Sequence, residues 1–86
     1  MVLSGAVTLG NVAALLEEGR RHIDEGVRSV DLGEVNEMDS AALALLLAWL
    51  REAKARGHGL EFTRLPESLR TIARLYGVDE LIPVAS

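Results

Sequence analysis

Ten consecutive residues, Ala41 to Leu50, contain nothing but Ala, Leu and Trp, and such a run has few ways to fold other than as a helix. Asp39 and Ser40 stand directly ahead of it. Either side-chain oxygen can accept a hydrogen bond from the free backbone N–H groups of a first helical turn, so the helix is placed to start there. Leu43, Leu46, Leu47 and Leu50 follow the i, i+3, i+4, i+7 spacing of a face packed on a core. Ala42, Leu45 and Trp49 form a second stripe on a different side, so the helix is apolar nearly all round. One face can cover the chain's own sheet. The other must meet a neighbouring helix or another protein.

The remaining elements are arranged around this one. Met1 to Leu3 reads as the end of a short strand, with Ser4-Gly5 as a turn. A helix follows, capped by Thr8 or Asn11, with Val12, Leu15, Leu16, Gly19 and Ile23 on its inner face, a charged outer face, and Gly26 as its end. Val27 to Leu32 suits a strand, and Gly33 and Asn36 punctuate a loop into the central helix. That helix stops at Gly57-His58-Gly59, where glycine can take the left-handed closing conformation. Leu60 to Thr63 is a further strand candidate. Pro66 suits the first turn of a third helix whose apolar stripe is Leu65, Leu69, Ile72, Ala73 and Tyr76, closed by Gly77 and Val78 in a Schellman ending. The tail through Leu81, Ile82 and Pro83 forms either a helical turn or an edge strand. Strand and helix alternate, which implies right-handed crossovers and a small, mostly parallel sheet with three main helices in one α/β domain over residues 1–86.

Charge and composition narrow the partners. Thirteen acidic residues against nine Lys and Arg, with Trp49, Phe62 and Tyr76 the only aromatics, leave neither the basic groove nor the stacking platforms of a single-strand nucleic-acid binder. No cysteine is present, which excludes disulfides and thiolate metal sites. No run reaches the length of a transmembrane helix, and the N-terminus lacks the pattern of a signal peptide. A cytoplasmic protein is expected, reaching the inner membrane only through a partner and without inserting into it.

No catalytic constellation emerges. His22 and His58 lack a second ligand at metal spacing and read as solvated, Arg20-Arg21 reads as part of a solvated face, and the glycines form neither a P-loop nor a dinucleotide fingerprint. Ser40 beside Asp39 has no histidine placed as its base. No cofactor, metal or catalytic residue is therefore expected. Asp39 and Ser40 have two readings: they only start a helix, or a hydroxyl flanked by Ala41, Ala42 and Leu45 marks a surface where another protein's backbone comes close. A phosphate on Ser40 would suit the helix dipole but set about two negative charges beside Asp39, at the expense of a docked partner.

The segment Met38 to Leu46, M-D-S-A-A-L-A-L-L, resembles the signature of the STAS domain, named for sulfate transporters and anti-sigma-factor antagonists. L-S-G-A-V-T at Leu3 to Thr8 looks like that family's strand and turn, V-D-L at Val30 to Leu32 like its central strand, and Leu65 to Pro83 like its last helix and tail. The resemblance implies a further strand ahead of the one ending near Leu3, so the chain is expected to lack the family's first strand. It also implies a binding protein rather than an enzyme. The chain looks most like the small STAS subunit of Mla-type phospholipid-transport ABC complexes, concerned with lipid asymmetry. That implies contact with the ABC ATPase subunit through Asp39, Ser40, Ala41, Ala42 and Leu45. The next branch, the anti-sigma-factor antagonists, implies phosphorylation of Ser40 by an anti-sigma-factor kinase, although Ala41 and Ala42 depart from the hydroxyl residue and glycine that follow the acceptor there. A homodimer is compatible with either branch.

Overall fold

Each strand of the chain is followed by a helical segment until the last, and four strands joined in this way form one parallel sheet in the sequential order β1-β2-β3-β4. The computed structural model describes residues 1–85. The elements are β1 (Val2–Val7), α1 (Val12–Asp24), β2 (Ser29–Met38), α2 (Ala41–Ala55), β3 (Glu61–Thr63), α3 (Glu67–Leu75), a single 3-10 turn (Asp79–Leu81) and β4 (Val84–Ala85). Sequential parallel strands linked by crossovers of one hand bring every helix to the same face of the sheet. The strands agree: Leu3, Val7, Val30, Leu32 and Phe62 point into the core, while Val2, Ser4 and Glu61 face solvent.

Two strands are longer than their local sequence suggests. β1 continues through the expected turn at Ser4-Gly5 to Val7, because Gly5 takes φ +77° and absorbs an irregularity inside the strand instead of ending it. β2 runs on through Gly33 and Asn36 to Met38, where a loop was expected, because the extended β1 supplies a partner from Val2↔Asp31 to Val7↔Met38. Both alternatives for the tail are realised in succession, the 3-10 turn and then β4 paired to β3.

α2 is the central helix and touches both α1 and α3. Its buried face is Ala42, Leu45, Leu46, Trp49 and Ala53, with Leu43 beside it. Of the two partners open to the second stripe, Ala42, Leu45 and Trp49, the neighbouring helix is the one it meets. The reason is α1: Gly19 lets that helix approach so closely that a Cβ on it would overlap Trp49 Cε2, Cζ2 and Nε1. Trp49 is 1% exposed, and its indole N–H donates to the Leu16 carbonyl at 3.2 Å. An ion-pair network seals the same seam, Arg20 to Glu17 and Glu52, Arg56 to Glu52 and Asp24. Arg20 is thus a bridging rather than a merely solvated residue.

The helix ends match the glycine punctuation. Gly57 at φ +80° closes α2 with His58 N–H bonded to the Ala53 carbonyl, and Gly77 at φ +69° closes α3 with Val78 N–H bonded to the Ala73 carbonyl. Two side chains depart from expectation. Tyr76 is exposed, lying just past the last turn of α3 rather than on its buried stripe. His58 is half-buried, its ring nitrogens 3.0 Å from the carbonyl oxygens of Ile23 and Gly59, so it ties the end of α2 to the end of α1; His22 is half-buried as well.

Candidate functional site

The C-terminal ends of β1 and β2 lie side by side, and the chain leaves both at the same edge of the domain. In open parallel sheets this is where loops carry function. From β1 the chain enters a tight turn, Thr8 to Asn11. Asn11 occupies the N-cap position of α1 but makes no side-chain bond into that helix. Its amide instead fastens the turn: Oδ1 accepts from the Thr8 N–H at 2.9 Å and Nδ2 donates to the Ala6 carbonyl at 2.8 Å. The Asn11 N–H closes the turn onto the Thr8 carbonyl at 3.1 Å. At its tip Leu9 stands 78% exposed.

From β2 the chain passes directly through Asp39 and Ser40 into α2. The two candidate caps divide the work. Asp39 Oδ1 accepts from the Ala41 N–H at 2.8 Å, satisfying a first-turn donor, while Oδ2 accepts from the Leu9 N–H at 3.0 Å. One carboxylate thus joins the start of α2 to the tip of the β1–α1 turn. Ser40 holds the N-cap position, yet its hydroxyl makes no capping bond and points no hydrogen bond at any described residue. It is exposed, free for a partner or a modifying group.

Of the five residues expected at a docking surface, Asp39 and Ser40 are exposed and Ala41 is half-buried. Ala42 and Leu45 are instead buried in the core, at 3% and 1% exposure. The helical period turns them inward, and α1 and the sheet cover them. Leu9, some thirty positions away in sequence, is an exposed apolar residue bonded to Asp39 that residue-by-residue reading did not single out. Its one local signal was a large apolar side chain next to Gly10 in a turn, T-L-G-N.

Neither residues 1–19 nor residues 29–50 contain a Lys or Arg, whereas Glu37 and Asp39 precede Ser40. Arg64 pairs with β2 on the open face of the sheet, at Asp31. It sits at φ +53° with its guanidinium bonded to both oxygens of Asp31 at 2.9 and 2.8 Å, and this pairing holds the Asp31 carboxyl below its ordinary value, helped by the Gly33 N–H. Among the described residues no group of three or more His, Cys, Asp or Glu is placed to hold a metal ion, and no helix is long and apolar enough to cross a membrane.

The chain belongs to the STAS domain family: the profile described as "Mlab, STAS domain" matches residues 1–83. Among known proteins it is similar to the intermembrane phospholipid transport system binding protein MlaB of Escherichia coli (strain K12) and to that of Shigella flexneri. It is 31% identical to each over 78 residues, which is 91% of this chain and 79% of theirs. Its fold is that of the anti-sigma factor antagonist SpoIIAA in its unphosphorylated form, with a TM-score of 0.73 at 18% identity, over 99% of this chain and 76% of that one.

Proposed function

We propose that the chain is the non-enzymatic STAS subunit of a phospholipid-transport ABC system and that it binds the ATPase subunit through the Ser40 end of α2. The observation that carries this reading is the exposed Ser40 hydroxyl, unbonded within the chain, on a rigid shoulder where Asp39 takes over the capping. Small residues follow it, so a partner's backbone can approach the start of the helix. Similarity to proteins described as phospholipid transport system binding proteins supplies the class of partner. A binding rather than catalytic role fits the groove of about 190 Å³ between β1 and α1, which has Glu18 as its single titratable side chain. Such a subunit would hold the ATPase in a competent arrangement on the cytoplasmic side of the membrane.

The test mixes the purified chain with the ATPase subunit of its own transport system and repeats the titration with Ser40→Glu. Because the side chain is exposed and unbonded, the variant should fold as the parent does and lose the complex. Unchanged binding removes Ser40 from the interface.

A second reading, an anti-sigma-factor antagonist phosphorylated on Ser40, is favoured by the same accessibility of the hydroxyl. Incubation with the cognate kinase and ATP followed by intact-mass measurement separates the two. No added phosphate removes the second reading.

A further inference from the structure

Resting on the Ser40 reading, one contact defines how the docking surface is built. A leucine 78% exposed is usually mobile, but Leu9 is not free to move: its turn is closed by the Asn11 amide and by a backbone bond, and its own N–H is held by Asp39. An apolar side chain displayed on a rigid turn loses little conformational freedom on binding, which is the property of an interface anchor. We propose that Leu9 is the apolar anchor of the contact with the ATPase subunit and that Asp39 is a positioning residue, holding Leu9 in register with the Ser40 hydroxyl.

The surface also states what the partner must offer. Neither of the two segments that carry Leu9 and Ser40 contains a Lys or Arg, and Glu37 and Asp39 precede the hydroxyl, while the start of α3 reaches Met38 through Ser68. The partner's complement is a leucine-sized apolar socket with a cationic rim. The shared carboxylate explains how charge at Ser40 would reach the anchor. A negative group there competes with Asp39 for the first-turn N–H groups of α2 and repels its carboxylate, which loosens the Leu9 turn.

The experiment measures the dissociation constant for the ATPase subunit with the full chain and with Leu9→Ala, Leu9→Met, Asp39→Ala, Ser40→Glu and the Leu9→Ala/Asp39→Ala pair. Truncating a leucine that becomes buried on binding should weaken the complex about 10- to 100-fold, whereas Leu9→Met, which keeps the apolar bulk, should stay within about 3-fold. Asp39→Ala should weaken it about 2- to 10-fold by freeing the turn. In the Leu9→Ala background the Asp39 substitution should then have a smaller effect, because the residue it positions is gone and only its charge toward the cationic rim is lost. Hydrogen exchange of the Leu9 amide in the free chain should quicken in Asp39→Ala, which reports the clamp without reference to binding.

If Leu9→Ala binds like the parent while Ser40→Glu does not bind, the anchor is overturned and the Ser40 reading stands. If the two alanine substitutions are additive, or if the Leu9 amide exchanges unchanged in Asp39→Ala, the positioning role is overturned. If Leu9→Ala weakens binding and Ser40→Glu does not, the anchor stands and the serine is not at the contact. If the parent chain does not bind the ATPase, the reading and the anchor fall together. An association rate independent of salt overturns the cationic rim.

Discussion

Gly19 offers the sharpest test of how α1 and α2 are packed. In an ordinary helix interior, Gly→Ala stabilises by about 0.5–1 kcal/mol, because alanine loses less backbone entropy on folding. Here the new methyl group would occupy the volume of the Trp49 indole, which is 1% exposed and anchored to the Leu16 carbonyl. Neither ring nor helix can give way cheaply: the indole is rigid and enclosed, and moving α1 outward would open the seam sealed by Arg20, Glu52 and Arg56. Overpacking of this kind costs about 1–3 kcal/mol, and losing the indole hydrogen bond adds about 1 kcal/mol. After subtracting the propensity gain, Gly19→Ala should destabilise by about 2 kcal/mol, which lowers Tm by about 8–16 °C for a domain of this size. Urea unfolding followed by the emission of Trp49, the single tryptophan, measures it directly. An Ala variant as stable as the parent, or more so, would show that the close crossing of α1 on α2 is wrong. Gly33→Ala is the control, since its methyl group would meet the guanidinium of Arg64. That group is the far end of a flexible, exposed side chain, so it can swing aside, and the change should stay within about 0.5–1 kcal/mol.

Three further expectations concern single groups. Asp39→Ala should cost about 1 kcal/mol in chemical denaturation as a lost cap, while Ser40→Ala should stay within about 0.5 kcal/mol because that hydroxyl caps nothing; the reverse order would put the cap on the serine. Gly77→Ala forces φ +69° on a residue with a side chain and should destabilise by about 1–2 kcal/mol although nothing lies near the added methyl group; a neutral effect would refute the Schellman ending of α3. The Asp31 carboxyl titrates below its ordinary value near 3.8, chiefly through its hydrogen bonds from Arg64 and then from the Gly33 N–H. Its folded-state pKa is depressed, so its contribution is present above that ordinary value and is lost as pH falls through the folded value. Asp31→Asn should accordingly flatten the acid limb of the stability profile below about pH 4, and an unchanged limb would mean that the Arg64 pair is not formed in solution.

Much of the chain is legible residue by residue, because the signals are local. Gly57 and Gly77 mark helix ends by the left-handed conformation that glycine adopts without strain and other residues do not, and Pro66 marks a helix start by the donor it lacks. The alternation of strands and helices sets the parallel order, since a crossover has one favoured hand. The absence of Lys and Arg from residues 29–50 is equally a property of the sequence.

Other features depend on contacts between distant segments. Gly33 and Asn36 read as a loop until β1 is laid beside them, because a strand's hydrogen bonds belong to a partner about thirty residues away. What covers the second stripe of α2, a neighbouring helix or another protein, could not be chosen from its composition; Gly19, by admitting Trp49, sets it against α1. The edge around Ser40 follows the same rule. Composition and capping preference marked Asp39 and Ser40, but Leu9 joins them only because two parallel strands end together and one carboxylate spans the gap. Local preference specifies where elements begin and end, whereas the surface they present is set by which residues the tertiary packing has already buried.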